Sequence, residues 1–471
     1  MPFSSTTGYV VGVQPAFPKL FRAFRRRSII AMVAGALAAI LVGCAANQPV
    51  GDTITHADGF TVSTVWTGNN NPVPAGARTG SAAFSGVACA STGPCFAVGS
   101  ATYASDQSRT VPLLESLTGS RLAISAAPFP GRFGEWDEIS CAAKFCAVLG
   151  SIGSSTNHPV LVADVLKDGR WHATRIPTLP RDVSDLDFPL DYLSCASDHV
   201  CVAAVNGSTA ADTNAPEVLV LTDNTWTISG LPVPTGTNRP LLNPGFTDVE
   251  CASAHRCVLL GDYGDEYVLD VLSDGKWTST ESATTNYFGA TCNPASCVVY
   301  TAPLTGETST ADEGSIWPVY LVAGGGTPKE VALLSPSPEL DDLTCPTSTW
   351  CASWLGNNRQ EGTSGDQLGI ESAGGWKVVQ AAPPGRYAQL LYPIQCEAVD
   401  VCIAAGASAR SSGPNRFSLP LIDTLNHGHW QPTTITLPES VESESATITS
   451  IACNLALKCV ALGTLGDNLG A

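Results

Sequence analysis

Basic charge is what this sequence has least of. Lys and Arg number 24 in 471 residues, against 42 Asp and Glu. Five of the 24 (Lys19, Arg22, Arg25, Arg26 and Arg27) stand in the first 43 positions, which hold no acidic residue. The remainder carries 19 basic and 42 acidic side chains, a net of −23. Nucleic-acid binding needs basic patches against phosphate, so the balance argues against it, and equally against attachment to anionic lipid by charge. Histidine is scarce, at seven, and no G-x-S-x-G elbow occurs, which leaves serine-hydrolase chemistry without its parts. No cysteine pair has the C-x2-C spacing of zinc sites. The apolar run from Ser28 to Val42 is too short for a typical spanning helix.

That run has the length of a signal-peptide h-region behind a basic n-region. It ends in Leu41-Val42-Gly43-Cys44-Ala45, which resembles a bacterial lipobox, with lipid placed on Cys44 and cleavage just before it. An ordinary signal peptide with a cysteine near its cleavage site is the alternative. Arg26-Arg27-Ser28-Ile29-Ile30 resembles a twin-arginine export signal, and the Sec route stays open beside it. The expected organisation is a lipoprotein signal peptide over 1–43, a lipidated tether over 44–51 and a single domain over 52–471. The protein is then expected on the extracytoplasmic face of the cell membrane, held there through its lipid alone.

Sixteen further cysteines fall into eight close pairs. These are Cys89 with Cys95, Cys141 with Cys146, Cys195 with Cys201, and Cys251 with Cys257. They continue as Cys292 with Cys297, Cys345 with Cys351, Cys396 with Cys402, and Cys453 with Cys459. The first cysteines are 52, 54, 56, 41, 53, 51 and 57 residues apart. A period near 50 with strand-like content indicates propeller blades rather than helical repeats. The surrounding text repeats as well, in VACASTGPCFAVG, ISCAAKFCAVLG, VECASAHRCVLLG and IQCEAVDVCIAAG. Each reads as strand, short loop, strand. The spacing, the few histidines and the exported context favour a disulfide in each hairpin over metal ligation. Each bridge closes a small loop, contributing about 2 kcal/mol.

A second hairpin recurs between the first. VLVADVLKDGRWHATRIPTLP turns at Asp168-Gly169 and enters its next strand at Trp171, and the plan repeats with Trp226, Trp277, Trp376 and Trp430. Asp-Gly between alternating strands is a hairpin signal. Each period thus holds four antiparallel strands, the content of a propeller blade. The last cysteine hairpin is followed by too few residues for its own second hairpin, whereas Thr53 to Trp66 precede the first. These N-terminal strands are expected to complete an eighth blade and close the ring, leaving no long edge. An all-β propeller of eight blades is predicted, with seven as the alternative and a shortened fourth blade where the period falls to 41. The repeat resembles exported cysteine-hairpin β-propeller proteins of high-GC Gram-positive bacteria, of the sialidase-like or BNR-like architecture, over about residues 52–471.

That resemblance implies architecture more than activity. The sialidase Asp-box is S-x-D-x-G-x-x-W; Ser273-Asp274-Gly275-Lys276-Trp277 lacks its spacers. Thr174-Arg175-Ile176-Pro177 resembles the Phe-Arg-Ile-Pro motif but occupies a position that reads as ordinary repeat in other blades. His427-Gly428-His429 falls in a turn, where solvation explains it. What stands out is the text leading into the first strand of each blade, rich in carboxylates and rings. Trp136, Asp137, Glu138, Asp187, Asp191, Tyr192, Asp248, Asp341, Asp342 and Tyr387 are the candidate ligand rim. Carboxylates there suit a hard cation such as calcium, although no cofactor is required, and rings suit a sugar or an apolar peptide anchor. A monomeric module binding a protein or glycan is the expected function. A glycan-active hydrolase or lyase using two rim carboxylates is the alternative.

Overall fold

The computed structural model describes 32 strands and the shorter turns between them, from Thr53 to Gly466. Residues 1–52 and 467–471, several longer connections including 178–191, and some strand side chains lie outside the described residues. Cys44, Asp187 and Asp191 are therefore outside them.

The strands form eight four-stranded sheets. Two strands precede the first cysteine hairpin, β1 (Thr53–Thr55) and β2 (Thr61–Thr67). Sheet one contains β3 (Ala77–Cys89), β4 (Cys95–Tyr103), β5 (Asp106–Thr118) and β6 (Arg121–Ile124). Sheet two contains β7 (Gly134–Ala142), β8 (Phe145–Ile152), β9 (Val160–Lys167) and β10 (Arg170–Thr174). Sheet three contains β11 (Tyr192–Ser197), β12 (Val200–Val205), β13 (Glu217–Thr222) and β14 (Thr225–Gly230). Sheet four contains β15 (Gly245–Ser253), β16 (Arg256–Asp262), β17 (Tyr267–Ser273) and β18 (Lys276–Ser282). Sheet five contains β19 (Tyr287–Asn293), β20 (Ser296–Thr301), β21 (Trp317–Ala323) and β22 (Lys329–Leu334). Sheet six contains β23 (Glu339–Thr347), β24 (Trp350–Gly356), β25 (Gln367–Ser372) and β26 (Gly375–Gln380). Sheet seven contains β27 (Tyr387–Ala398), β28 (Val401–Arg410), β29 (Ser418–Asn426) and β30 (His429–Thr434). Sheet eight combines β31 (Ser445–Cys453) and β32 (Lys458–Gly466) with β2 and β1.

Turn chemistry explains the second hairpin of each unit. Asp168-Gly169 (φ 52° and 73°), Asp223-Asn224 (50° and 67°) and Asp274-Gly275 (50° and 79°) place both central residues at positive φ. That is the type I′ turn, whose twist matches the flanking strands. In the first hairpin of every sheet the expected cysteines are bonded. Cys89 joins Cys95, Cys141 joins Cys146, Cys195 joins Cys201, and Cys251 joins Cys257. Cys292 joins Cys297, Cys345 joins Cys351, Cys396 joins Cys402, and Cys453 joins Cys459. The Cα separations are 3.9–4.1 Å throughout. In β7–β8, for example, Cys141 stands directly opposite Cys146 in the ladder, close enough to be bridged without moving the backbone.

The core lies between sheets. Every residue of β12 is buried, because its side chains alternate between two neighbours. In β8, Cys146 and Val148 pack toward sheet one, and Ala147 and Leu149 toward sheet three. Comparable clusters join sheets three and four, four and five, and six and seven. Sheet eight packs on sheet seven through Phe60, Val62 and Trp66, and on sheet one through Val65, Val460 and Leu462.

Two expectations need correction. Sheet four is not shortened: it has all four strands, and the short period arises because few residues, 263–266 and 283–286, separate β16 from β17 and β18 from β19. Sheet eight is not wholly antiparallel. β2 takes the third position but runs parallel to β32, with Thr61 opposite Lys458 and Thr67 opposite Thr464, and β1 lies outside it. The direction follows from connectivity. β2 must finish at the end of the sheet from which β3 begins, so it cannot run as the third strand of other sheets does.

Candidate functional site

The first strands of successive sheets lie side by side, and seven of the eight share one irregularity. A β-bulge falls four residues before the first cysteine, at Ser85, Asp137, Thr247, Phe288, Asp341, Tyr392 and Thr449. At Tyr392 the bulge also takes in Pro393. In β11 that position is 191, outside the described residues. An extra residue inverts the alternation of side chains beyond it. Residues three apart then share a face: Trp136 with Ile139, and Phe246 with Val249.

This relocates the expected ligand rim. Among the described residues, the acidic and aromatic text belongs to the first strands rather than to loops leading into them. Trp136 is 1 % exposed and packs between sheets one and two, with the Phe129 ring edge-on at 4.9 Å. It lies so close over Gly150 that a Cβ there would meet the indole and the Glu135 carbonyl. Its role is core packing. Tyr192 is half-buried against the core between sheets three and four. Asp137 and Glu138 are half-buried in β7, Asp137 being the bulged residue. Asp341, Asp342 and Tyr387 fall in β23 and β27, with side chains outside the described residues.

Asp248 joins two sheets. Its Oδ2 accepts the Ala290 N–H of sheet five at 2.7 Å. Burial pushes its carboxyl up to about 6, opposed by the N–H groups of Ala290 and Val249. Similar ties recur where the residue before one cysteine accepts the N–H of the next sheet's first cysteine. Ser140 accepts from Cys195 (3.0 Å), Ser194 from Cys251 (3.1 Å) and Gln395 from Cys453 (2.8 Å). The Ser85 hydroxyl donates to the Trp136 carbonyl at 3.0 Å. First-strand N–H groups facing away from their own ladder thereby find acceptors. The result is a stiff frame.

On the face where these strands begin, sheets one and two border an open pocket of about 320 Å³ lined by Arg109, Arg132, Phe133, Ile152 and Gly153. Arg109 stands near the start of β5, just after the β4–β5 turn, and Arg132-Phe133 lead into β7. Both guanidinium groups lie over the Phe133 ring, Arg109 at 4.8 Å and Arg132 at 5.2 Å. Arg132 also donates to the Tyr103 hydroxyl at 3.0 Å, and the Tyr103 ring meets Phe133 edge-on at 5.0 Å. Arg109 pairs with Asp106 at 3.0 Å. The Ser108 hydroxyl and N–H hold Asp106 below the usual carboxylate range, helped by Arg109. Cations over aromatic faces in a strongly acidic chain form a local reversal of sign. The sequence signal was Arg132-Phe133 immediately before Glu135-Trp136, hidden among more conspicuous carboxylates.

Four further carboxylates share a place in the third strands. Glu115, Asp164, Asp270 and Asp423 each stand opposite the residue two beyond the second cysteine, and all are at most 1 % exposed. Strand alternation sets each on the face turned to the preceding sheet, as the packing of Leu117, Leu166, Leu272 and Leu425 shows. Burial pushes Glu115 up to about 8 and Asp164 to about 7. It also pushes Asp270 to about 7, with Ser279 opposing and Glu281 adding to the rise. The text Asp-x-Leu-x-x-Gly-x-Trp, at Asp164, Asp270 and Asp423, is the signal that marks this position.

No family model matches the sequence, and no curated protein matches it. Among solved structures it is similar to the beta-propeller domain of the Trilobed protease from Pyrococcus furiosus. The identity is 9 % and the TM-score 0.43, covering 76 % of this chain and 99 % of that one. It is also similar to YCF48 bound to D1 peptide, at 12 % identity and TM-score 0.35, over 64 % and 82 % of the two chains. A third is the GH74 xyloglucanase from Xanthomonas campestris, at 12 % identity and TM-score 0.37. There the similarity covers 66 % of this chain and about half (47 %) of the other. These likenesses bear on fold alone.

Proposed function

We propose that the chain is a lipid-anchored, extracytoplasmic β-propeller of eight blades that holds a protein or glycan partner without transforming it. On this reading sheet eight closes the ring, since it joins both chain ends and packs on sheets seven and one. Closure leaves no first or last sheet exposed. Eight hairpin disulfides fit an oxidising compartment, and the Leu41–Cys44 text supplies the anchor. The observation that carries the binding reading is the use made of the first-strand polar groups. Asp248, Ser140, Ser194 and Gln395 bond to the backbone of the next sheet, which rigidifies the frame. Glycoside hydrolysis would instead need two carboxylates facing one cavity, whereas the pocket on the same face is lined by arginines.

Two experiments test this. Cys44→Ala is expected to move the protein from the membrane fraction to the soluble extracytoplasmic fraction, and unchanged retention would refute the lipid anchor. The purified protein is also expected to leave a panel of oligosaccharides intact over a day of incubation. Cleavage that disappears in Asp137→Asn would establish a hydrolase or lyase instead.

A further inference from the structure

We infer that the pocket lined by Arg109, Arg132 and Phe133, with Tyr103 holding Arg132, is an oxyanion site, taking the phosphate or carboxylate group of a small polar ligand. This rests on the reading of that face as a binding face and gives it a ligand chemistry. Among the described residues Arg132 has no carboxylate partner; its hydrogen bond to Tyr103 and its place over Phe133 fix its direction. A guanidinium held by one neutral hydrogen bond and two rings keeps N–H donors for a ligand oxygen in the fork geometry oxyanions match. Arg109 brings a second cation to the other contact on Phe133, and Asp106 neutralises only one of the two. The pocket therefore keeps a net positive charge while most of the surrounding chain is acidic. Long-range repulsion disfavours polyanions, so a small ligand with one anionic group suits it better.

The wall is preset. A Cβ at Gly131 would crowd the Ile152 side chain, and one at Gly134 (φ 151°) would strike the Ser151 carbonyl and the Phe129 ring. The segment carrying Arg132 and Phe133 is thus folded tightly onto the end of β8, so binding does not have to order it first. A volume near 320 Å³ lies at the small end of ligand pockets.

Isothermal titration calorimetry of the full-length protein in detergent tests this, with inorganic phosphate, acetate and glucose as separate titrants at low salt. Phosphate or acetate is expected to bind at one site and glucose not at all, and the tighter anion identifies the chemical source. Arg132→Gln is expected to weaken that binding at least tenfold with an unchanged melting temperature. Asp106→Asn, which removes the competing carboxylate, is expected to tighten it several-fold. Silence from both anions, or Arg132→Gln titrating like the natural protein, overturns the inference. Cleavage of an oligosaccharide by Arg132→Gln at the full rate would sink the non-catalytic reading and leave this one standing.

Discussion

Replacing Trp136 by alanine is expected to lower the stability of the protein by about 3–5 kcal/mol, the usual loss for a large aromatic side chain in a packed core. The indole is buried between sheets one and two, meets Phe129 edge-on, and covers Gly150. Its removal leaves a cavity that the flanking strands cannot fill, because both are fixed by their ladders. Urea denaturation checks this. Trp136→Phe should recover much of the loss, and oxyanion binding measured below the unfolding transition should be unchanged. A shift under about 0.5 kcal/mol, typical of surface substitutions, would mean that the ring does not belong to the core.

The second large effect is on pH dependence. Glu115, Asp164 and Asp270 hold their protons in the folded protein up to about 8, 7 and 7, whereas in an unfolded chain they release them near 4. Between those limits the folded state binds more protons, so raising the pH favours unfolding. The stability is fully present below about pH 4 and is lost as the pH passes through the folded values. For Asp164 alone the loss is on the order of a few kcal/mol. The melting temperature is then expected to fall by about 10 °C or more from pH 5 to pH 8.5, given about 2–4 °C per kcal/mol for a domain of 150–250 residues and less for a longer one. Asp164→Asn, whose amide stays neutral, should match the natural protein near pH 4 and exceed it at pH 8.5. A flat melting profile, or an identical slope in the variant, would contradict the assignment.

Much of the fold was legible because its signals are local. Cysteine spacing named all eight bridges, and Asp168-Gly169 and Asp274-Gly275 marked their turns, since few residues tolerate positive φ. The candidate site was less legible, for a reason visible at Trp136. Counting back from Cys141 by strict alternation puts Asp137 on the face of Ile139 and Trp136 on the opposite one. The bulge at Asp137 reverses both, and a bulge has no composition of its own: serine, aspartate, threonine, phenylalanine and tyrosine all occupy it. An apolar pair three apart, as in Phe84 and Val87, Trp136 and Ile139, or Phe246 and Val249, was the available clue. The parallel course of β2 was equally beyond pattern reading, because it depends on where the chain must go next. The Arg109–Arg132 pocket combines two sheets and is defined by proximity that periodicity does not carry.

Sheet eight also sets an order of assembly. Apart from its hairpin with β1, β2 is paired only with β32, Thr61 standing opposite Lys458, so nearly the whole chain must be made before that hairpin joins a larger sheet. Until then Val62 and Trp66, buried in the finished protein against sheet seven, lack the surface they pack on. The cost of joining such distant segments falls on this one seam, whereas every other sheet is built from consecutive strands. A chain ending before Ser445 would therefore lose more than its last hairpin. It would strand an apolar segment at its opposite end, turning a truncation at the C-terminus into a lesion at the N-terminus.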